Sequence, residues 1–174
     1  RSVHIGAPGT EILSTTLNGT YSTFNGTSMA TPHVTGTAAL LKAADPSRDW
    51  RAIRNLILAG GDNVPSMANT ITQKRLNAFG ALTCSNSPVF SRLAPIADSM
   101  TATVDTPINL KVLNINCASP GGDVAVTVNP GGETITLLDD GQGLDLAAGD
   151  GTYAGQWIPA TTGSYSLTFP DGSV

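Results

Sequence analysis

The stretch Asn25-Gly26-Thr27-Ser28-Met29-Ala30-Thr31-Pro32-His33 sets a serine hydroxyl between a glycine turn and an apolar segment. From Met29 to Ala44 nearly every position is apolar or small. That predicts a helix without a polar face, the kind that is buried inside a domain. Pro32 fits only in a first helical turn, so the helix must begin at about Ser28. A hydroxyl there lies among unpaired backbone N–H groups at the positive end of the helix dipole, where a developing oxyanion would be stabilised. Gly26 would let a substrate backbone approach, and Ala30 and Gly36 keep the helix slim. The plainer reading makes Ser28 a helix cap. A nucleophilic serine also needs a general base, normally a histidine oriented by a carboxylate. The chain offers His4 and His33. His33 is five residues on, about 140° round the helix and ~7 Å along it, out of reach of the hydroxyl. It reads as a buried, hydrogen-bonded structural histidine, and His4, between Val3 and Ile5, as an equally structural one.

A second cluster is Asp139-Asp140-Gly141-Gln142-Gly143-Leu144-Asp145, continuing through Gly149-Asp150-Gly151. Asp139, Asp140, Asp145 and Asp150 could supply oxygen ligands to calcium, although the spacing fits no EF-hand. Equally, Asp and Gly build successive turns in which carboxylates accept backbone N–H bonds. Cys84 and Cys117 fit one disulfide of a secreted protein, or two free buried thiols. Two Asn-Gly-Thr triplets, at Asn18 and Asn25, match a glycosylation sequon but read as turn chemistry.

The elements around these residues fall into two groups. Val3–Ala7 reads as a short buried strand stopped by Pro8-Gly9. Ile12–Leu17 and Thr20–Phe24 flank Asn18-Gly19 as a hairpin. A second helix runs from Ser47 or Asp49 to Ala59, with Trp50, Ile53, Leu56 and Ile57 inward, Arg48, Arg51 and Arg54 toward solvent, and Gly60-Gly61 ending it. Residues 62–75 read as a loop with a short hairpin, and Leu76, Phe79 and Leu82 as a last short helix. Beyond Val89, alternating segments recur at Thr101–Val104, Ile108–Ile115, Val124–Val128, Ile135–Leu138, Thr152–Trp157 and Ser164–Phe169, the pattern of an antiparallel β-sandwich. Residues 1–82 are therefore expected to form one unit, 83–88 a polar linker and 89–174 the sandwich.

Charge divides at the same place. Of 174 residues only 13% are charged; residues 1–82 carry seven basic and four acidic side chains, residues 83–174 two basic and nine acidic. The acidic part would repel phosphates, so nucleic acid is excluded as a partner. No apolar run is long enough to span a bilayer. Arg1 follows no initiator Met, n-region or h-region, which reads as a processed end or a cut.

Gly26 to Pro32 resembles the nucleophile segment of the subtilisin-like serine proteases, whose signature is Gly-Thr-Ser-Met-Ala-x-Pro. Ile5-Gly6-Ala7-Pro8-Gly9 with Ile12 and Ser14-Thr15 is similar to that family's strand and turn ahead of the serine, and Trp50–Leu58 and Arg75–Leu82 to its closing helices. The resemblance implies that residues 1–82 are the C-terminal part of a catalytic domain built on a parallel α/β sheet. It makes Ser28 the nucleophile and its N–H half of the oxyanion hole. Asn25, Gly26, Thr27 and Met29 would line the site, with Met29 open to oxidation. The chemistry needs no cofactor. In that family Asp and His precede the serine. The expectation is thus a fragment of a secreted bacterial endopeptidase acting on proteins or peptides, inactive without the upstream part of its catalytic domain and exposing apolar surface where that part would pack. The Asp-Asp-Gly…Gly-Asp-Gly-x-Tyr pattern ending at Tyr153, with Trp157, resembles immunoglobulin-like modules appended to secreted bacterial proteins. The competing expectation is a secreted adhesion or binding module with a vestigial protease-like half.

Overall fold

The computed structural model describes residues 3–174. The chain opens with an extended run whose backbone pairs in parallel with residues 71–76: Ile71 N donates to Val3 O (2.9 Å), Gly6 N to Lys74 O (3.0 Å) and Leu76 N to Gly6 O (2.8 Å). Val3 and His4 are exposed, which corrects the expectation of a buried strand, because only one edge of this run is paired. Strands β1 (Ile12–Thr15) and β2 (Tyr21–Phe24) form the expected hairpin about Asn18-Gly19. Asn18 sits at φ 60°, a conformation asparagine tolerates in tight turns.

Helix α1 (Thr27–Ala44) begins within two residues of the expected start, with Pro32 in its first turns. Of its residues only Thr37 and Leu41 are buried. The expected all-round burial is therefore absent: α1 packs one side on α2 and α3 and leaves the rest open, Leu40 being 53% exposed. Helix α2 (Trp50–Ala59) is capped by Asp49, whose carboxylate accepts the Ala52 N–H at 2.9 Å. It buries Asn55 to Ala59, while Trp50, expected inward, is 52% exposed beside Arg51. Strands β3 (Asp62–Asn63) and β4 (Lys74–Arg75) pair antiparallel, and α3 (Ala78–Leu82) is capped by Asn77. Glycine is required where α2 meets α3: a Cβ on Gly60 would stand 2.4 Å from Ala81 N, and one on Gly80 would stand 2.2 Å from Gly60 O.

Residues 88–174 form two antiparallel sheets. β5 (Pro88–Ala94) and β6 (Ile108–Asn116) pair with each other, the short β7 (Ser119–Pro120) with the end of β6. β8 (Val124–Asn129) and β9 (Glu133–Leu137) make the second sheet. β10 (Thr152–Trp157) joins the first sheet and β11 (Ser166–Thr168) the second, giving orders β10-β6-β5 and β11-β8-β9. Alternate residues of both sheets meet in one core, including Leu110, Val112, Val124, Val126, Leu137 and Trp157. Leu138 and Ala154 exchange N–H···O bonds at 2.9 Å and stitch the sheets along one side. The segment Thr101–Val104 is a loop rather than a strand, because the turn that closes with Thr106 N on Thr103 O and the Asp105 N–H bond to Pro159 O use its backbone locally.

The two groups of elements share a core. Leu58, Ala59 and Ile71 pack with Val89, Leu113 and Ile115. The segment expected as a linker is clamped: Cys84 is bridged to Cys117, Ser87 N donates to Asn116 Oδ1, and Ser87 Oγ to Ala59 O. Lys74, buried at 7% exposure, donates to Ala59 O and Ser87 Oγ, a cation on the C-terminal carbonyls of α2. Removal of that ammonium from water lowers its pKa, with the Asp62 carboxylate opposing.

Candidate active site

Ser28 is the second residue of α1, one place inside the helix, and exposed. The cap position belongs to Gly26, at φ 153°, so Ser28 is not the helix cap. Met29 N (3.0 Å) and Ala30 N (3.3 Å) both donate to Gly26 O. Among the described residues no backbone acceptor takes the Thr27 or Ser28 N–H, and no side chain bonds the Ser28 hydroxyl. The local result is a solvent-facing hydroxyl beside free donors at a helix N-terminus, an arrangement that can hold a developing negative charge.

The turn before the serine is held from one direction. Gly26 N donates to Gly9 O at 2.8 Å, and Glu11 N to Asn25 Oδ1 at 2.5 Å. A Cβ on Gly9 would come within 2.8 Å of Gly26 O, so Gly9 is what lets the 8–11 turn lie against the helix start. The Asn25 amide thus serves the Glu11 backbone, Gly26 makes the turn, and Thr27 and Met29 flank the serine along the helix. Glu11 and the tie between the two turns had no signal in the sequence beyond the Pro8-Gly9 punctuation.

No base reaches Ser28 among the described residues. The His33 ring bonds Met29 O through Nδ1 (3.0 Å) and is exposed rather than buried, since the face of α1 that carries it is open. His4 lies on the opening extended run, where partial loss of water around the ring and then the Arg54 cation lower its pKa.

The acidic cluster gathers differently from the four carboxylates expected. Asp139, Asp145 and Asp150 converge, with one oxygen of each within 4.8 Å of the others, whereas Asp140 turns away to accept the Gln142 N–H. All three are already served. Asp139 accepts Gly149 N (2.7 Å), Asp150 N (3.2 Å) and Gly151 N (2.8 Å); Asp145 accepts Gly141 N and Ala147 N; Asp150 accepts Thr152 N. The remaining Asp150 oxygen faces the Arg54 guanidinium at 3.8 Å. No buried side-chain polar atom is left without a partner among the described residues. Three of the four expected carboxylates therefore converge closely enough to share a cation, while the same oxygens also accept the backbone N–H groups of the loop.

Arg51 and Arg54, expected in solvent, instead reach this loop, because the two-sheet unit packs on that side of α2. The excess of basic residues before position 83 and of acidic ones after it is the sequence signal of that attraction.

Residues 1–80 match the model of the Subtilase family. Subtilisin BL of Lederbergia lenta is 55% identical over 49 residues, which are 28% of this chain and 18% of that protein. The thermophilic serine proteinase of Bacillus sp. (strain AK1) is 38% identical over 81 residues, 47% of this chain and 20% of that protein. The intracellular serine protease of Paenibacillus polymyxa is 62% identical over 40 residues, 23% and 12% of the two. The chain thus spans between 12% and 20% of the length of these relatives. Over its first 80 residues the chain is thus similar to the C-terminal part of serine proteases of the Subtilase family.

Proposed function

We propose that the chain is part of a serine endopeptidase whose nucleophile is Ser28. The observation that carries this reading is an exposed hydroxyl beside free N–H groups at the start of α1, inside the Gly-Thr-Ser-Met-Ala-x-Pro string. In the complete enzyme a histidine from an upstream part takes the Ser28 proton as Oγ bonds to the scissile carbonyl carbon. The carbonyl oxygen becomes an oxyanion, which the Ser28 N–H stabilises. The same histidine then protonates the leaving amine, and water releases the acyl group. Asn25, Gly26, Thr27 and Met29 border the substrate. The reaction requires no cofactor, and the 174 residues alone, without that base, are inactive. Residues 89–174 would be an appended immunoglobulin-like sandwich joined through 83–88, and Cys84–Cys117 fits a bacterial protein exported to an oxidising compartment.

The test is active-site labelling with a fluorophosphonate probe, followed by peptide mapping. The protein as its source makes it should carry the probe on the Ser28 peptide, and the 174-residue chain should stay unlabelled. A native protein that carries no label, or one whose mature chain starts at Arg1, would sink the reading. One observation favours a second reading, a binding module: a groove of about 910 Å3 in the two-sheet unit, lined by Trp157, Tyr165, Phe169, Met100 and Arg92. In that case the unlabelled native protein would retain a ligand in this groove.

A further inference from the structure

The acidic loop also presents backbone carbonyls toward α2. Asp139 gathers three consecutive N–H groups, those of Gly149, Asp150 and Gly151, onto one carboxylate. A peptide whose N–H points inward turns its carbonyl outward, and the outward carbonyls here meet arginines. Arg51 Nε donates to Ala148 O at 2.8 Å. Arg54 donates to Asp150 O at 2.8 Å and to Thr152 Oγ1 at 3.3 Å, with the Asp150 carboxylate 3.8 Å away. Its other contact, Asn55 Oδ1, belongs to a fully buried residue that donates in turn to Ala118 O.

We propose that residues 139–152 form a guanidinium-binding site whose ligand is α2: the turn takes two arginines spaced i and i+3 on one helix face. It thereby locks the two-sheet unit to the helices that carry Ser28. The spacing matters, since residues three apart on a helix are neighbours on one face. The donors matter too, because a guanidinium fork reaches a carbonyl and a hydroxyl together, which the point charge of lysine does not. The turn is itself fixed to the sheet. Asn114 N donates to Gly151 O at 2.8 Å, Lys111 Nζ donates to Leu144 O at 3.1 Å, and a Cβ on Gly151 would lie 2.2 Å from Ile115 Cγ2. Asp139 is a positioning residue: it touches no arginine, yet it aims the carbonyls that do.

The experiment is hydrogen–deuterium exchange on the intact 174-residue chain, read peptide by peptide. Arg54→Lys keeps the charge and the stem, so the fold persists, and Trp50–Ala59 should exchange roughly tenfold faster, the effect of one charge-assisted bond. Asp139→Asn should speed the same helix by a similar factor while β8 and β9 stay protected. The double variant should be no faster than the worse single one, since both act on one contact. Unchanged exchange in α2 for Arg54→Lys, or additive effects in the double variant, would overturn the proposal. Calcium chloride gives the separate check. Calorimetry should show no saturable binding; micromolar binding that Asp145→Asn abolishes would make the loop a cation site and overturn the assignment.

Discussion

Replacing both Cys84 and Cys117 by alanine tests whether the junction between the helices and the two-sheet unit holds by covalent constraint or by packing alone. The bridge spans a sequence separation of 33, from just after α3 to the turn between β6 and β7. Closing a loop of that length in the unfolded chain removes entropy worth about 3.7 kcal/mol at 25 °C. With a urea slope of roughly 2 kcal/mol per molar, the midpoint should fall by about 2 M. The tryptophans report the two sides separately, Trp50 on α2 and Trp157 in the core between the sheets. Equilibrium unfolding followed in Trp50→Phe and Trp157→Phe backgrounds should give coincident transitions with the bridge present. Without it, the packing of Leu58, Ala59 and Ile71 on Val89, Leu113 and Ile115, the Ser87 and Asn55 hydrogen bonds and the arginine contacts hold the junction non-covalently, and the α2 transition should move ahead of the two-sheet one. Coincident transitions with a midpoint shift below about 0.5 M would refute the reasoning, because the unfolded chain would then gain little from losing the closure.

Other substitutions probe the same structure. Leu110 is fully buried between the sheets, so Leu110→Ala should cost about 2–5 kcal/mol in urea unfolding. Gly80→Ala should destabilise more than its exposure suggests, since the added Cβ meets Gly60 O, a backbone atom that cannot turn aside; a neutral melting temperature would contradict that geometry. Hydrogen bonds from Asn77 and then Arg75 lower the Asp62 pKa, so this carboxylate contributes stability above the ordinary aspartate value that is lost as pH falls through its folded value. Acid titration should show stability dropping from about pH 4 downward, and Asp62→Asn should flatten the drop. Around Gly36 a Cβ meets nothing within 4 Å. Gly36→Ala should therefore raise the stability of the 174-residue chain by about 0.5–1 kcal/mol, yet lower that of a longer enzyme in which α1 is covered.

What was legible in the sequence was what local chemistry determines. Asn18-Gly19 fixes a hairpin, Pro32 fixes where α1 can begin, Gly60-Gly61 ends α2, and alternation marks β6, β8 and β10 almost to the residue. Long-range facts were hidden. The solvated reading of Arg51 and Arg54 follows from a helical wheel, which cannot know that an acidic turn 96 or 97 residues later will dock there. Burial of α1 was read from its composition, but burial is supplied by neighbours; these 174 residues cover only the side that meets α2 and α3. Composition shows the four aspartates as carboxylates but not which of them converge: Asp139, Asp145 and Asp150 do, and Asp140 turns away.

The same distinction separates the two halves of the proposed chemistry. The oxyanion side of the Ser28 site is built from contacts close by in the chain. Gly26 shapes the turn, Gly9 lets the preceding turn lie against it, and the bond between Glu11 and Asn25 spans fourteen residues. On the proposed reading these local bonds orient the donors at the start of α1 before substrate arrives, which is the condition for electrostatic preorganisation. The base is different in kind. A histidine must be brought to the hydroxyl by tertiary structure; the His33 ring is tied to Met29 O, and neither His33 nor His4 hydrogen-bonds the Ser28 hydroxyl. A free serine hydroxyl at neutral pH is a weak nucleophile however well its product oxyanion is received. An arrangement with the receiving donors in place and the proton acceptor absent would therefore bind a carbonyl oxygen at the helix start without cleaving the bond beside it.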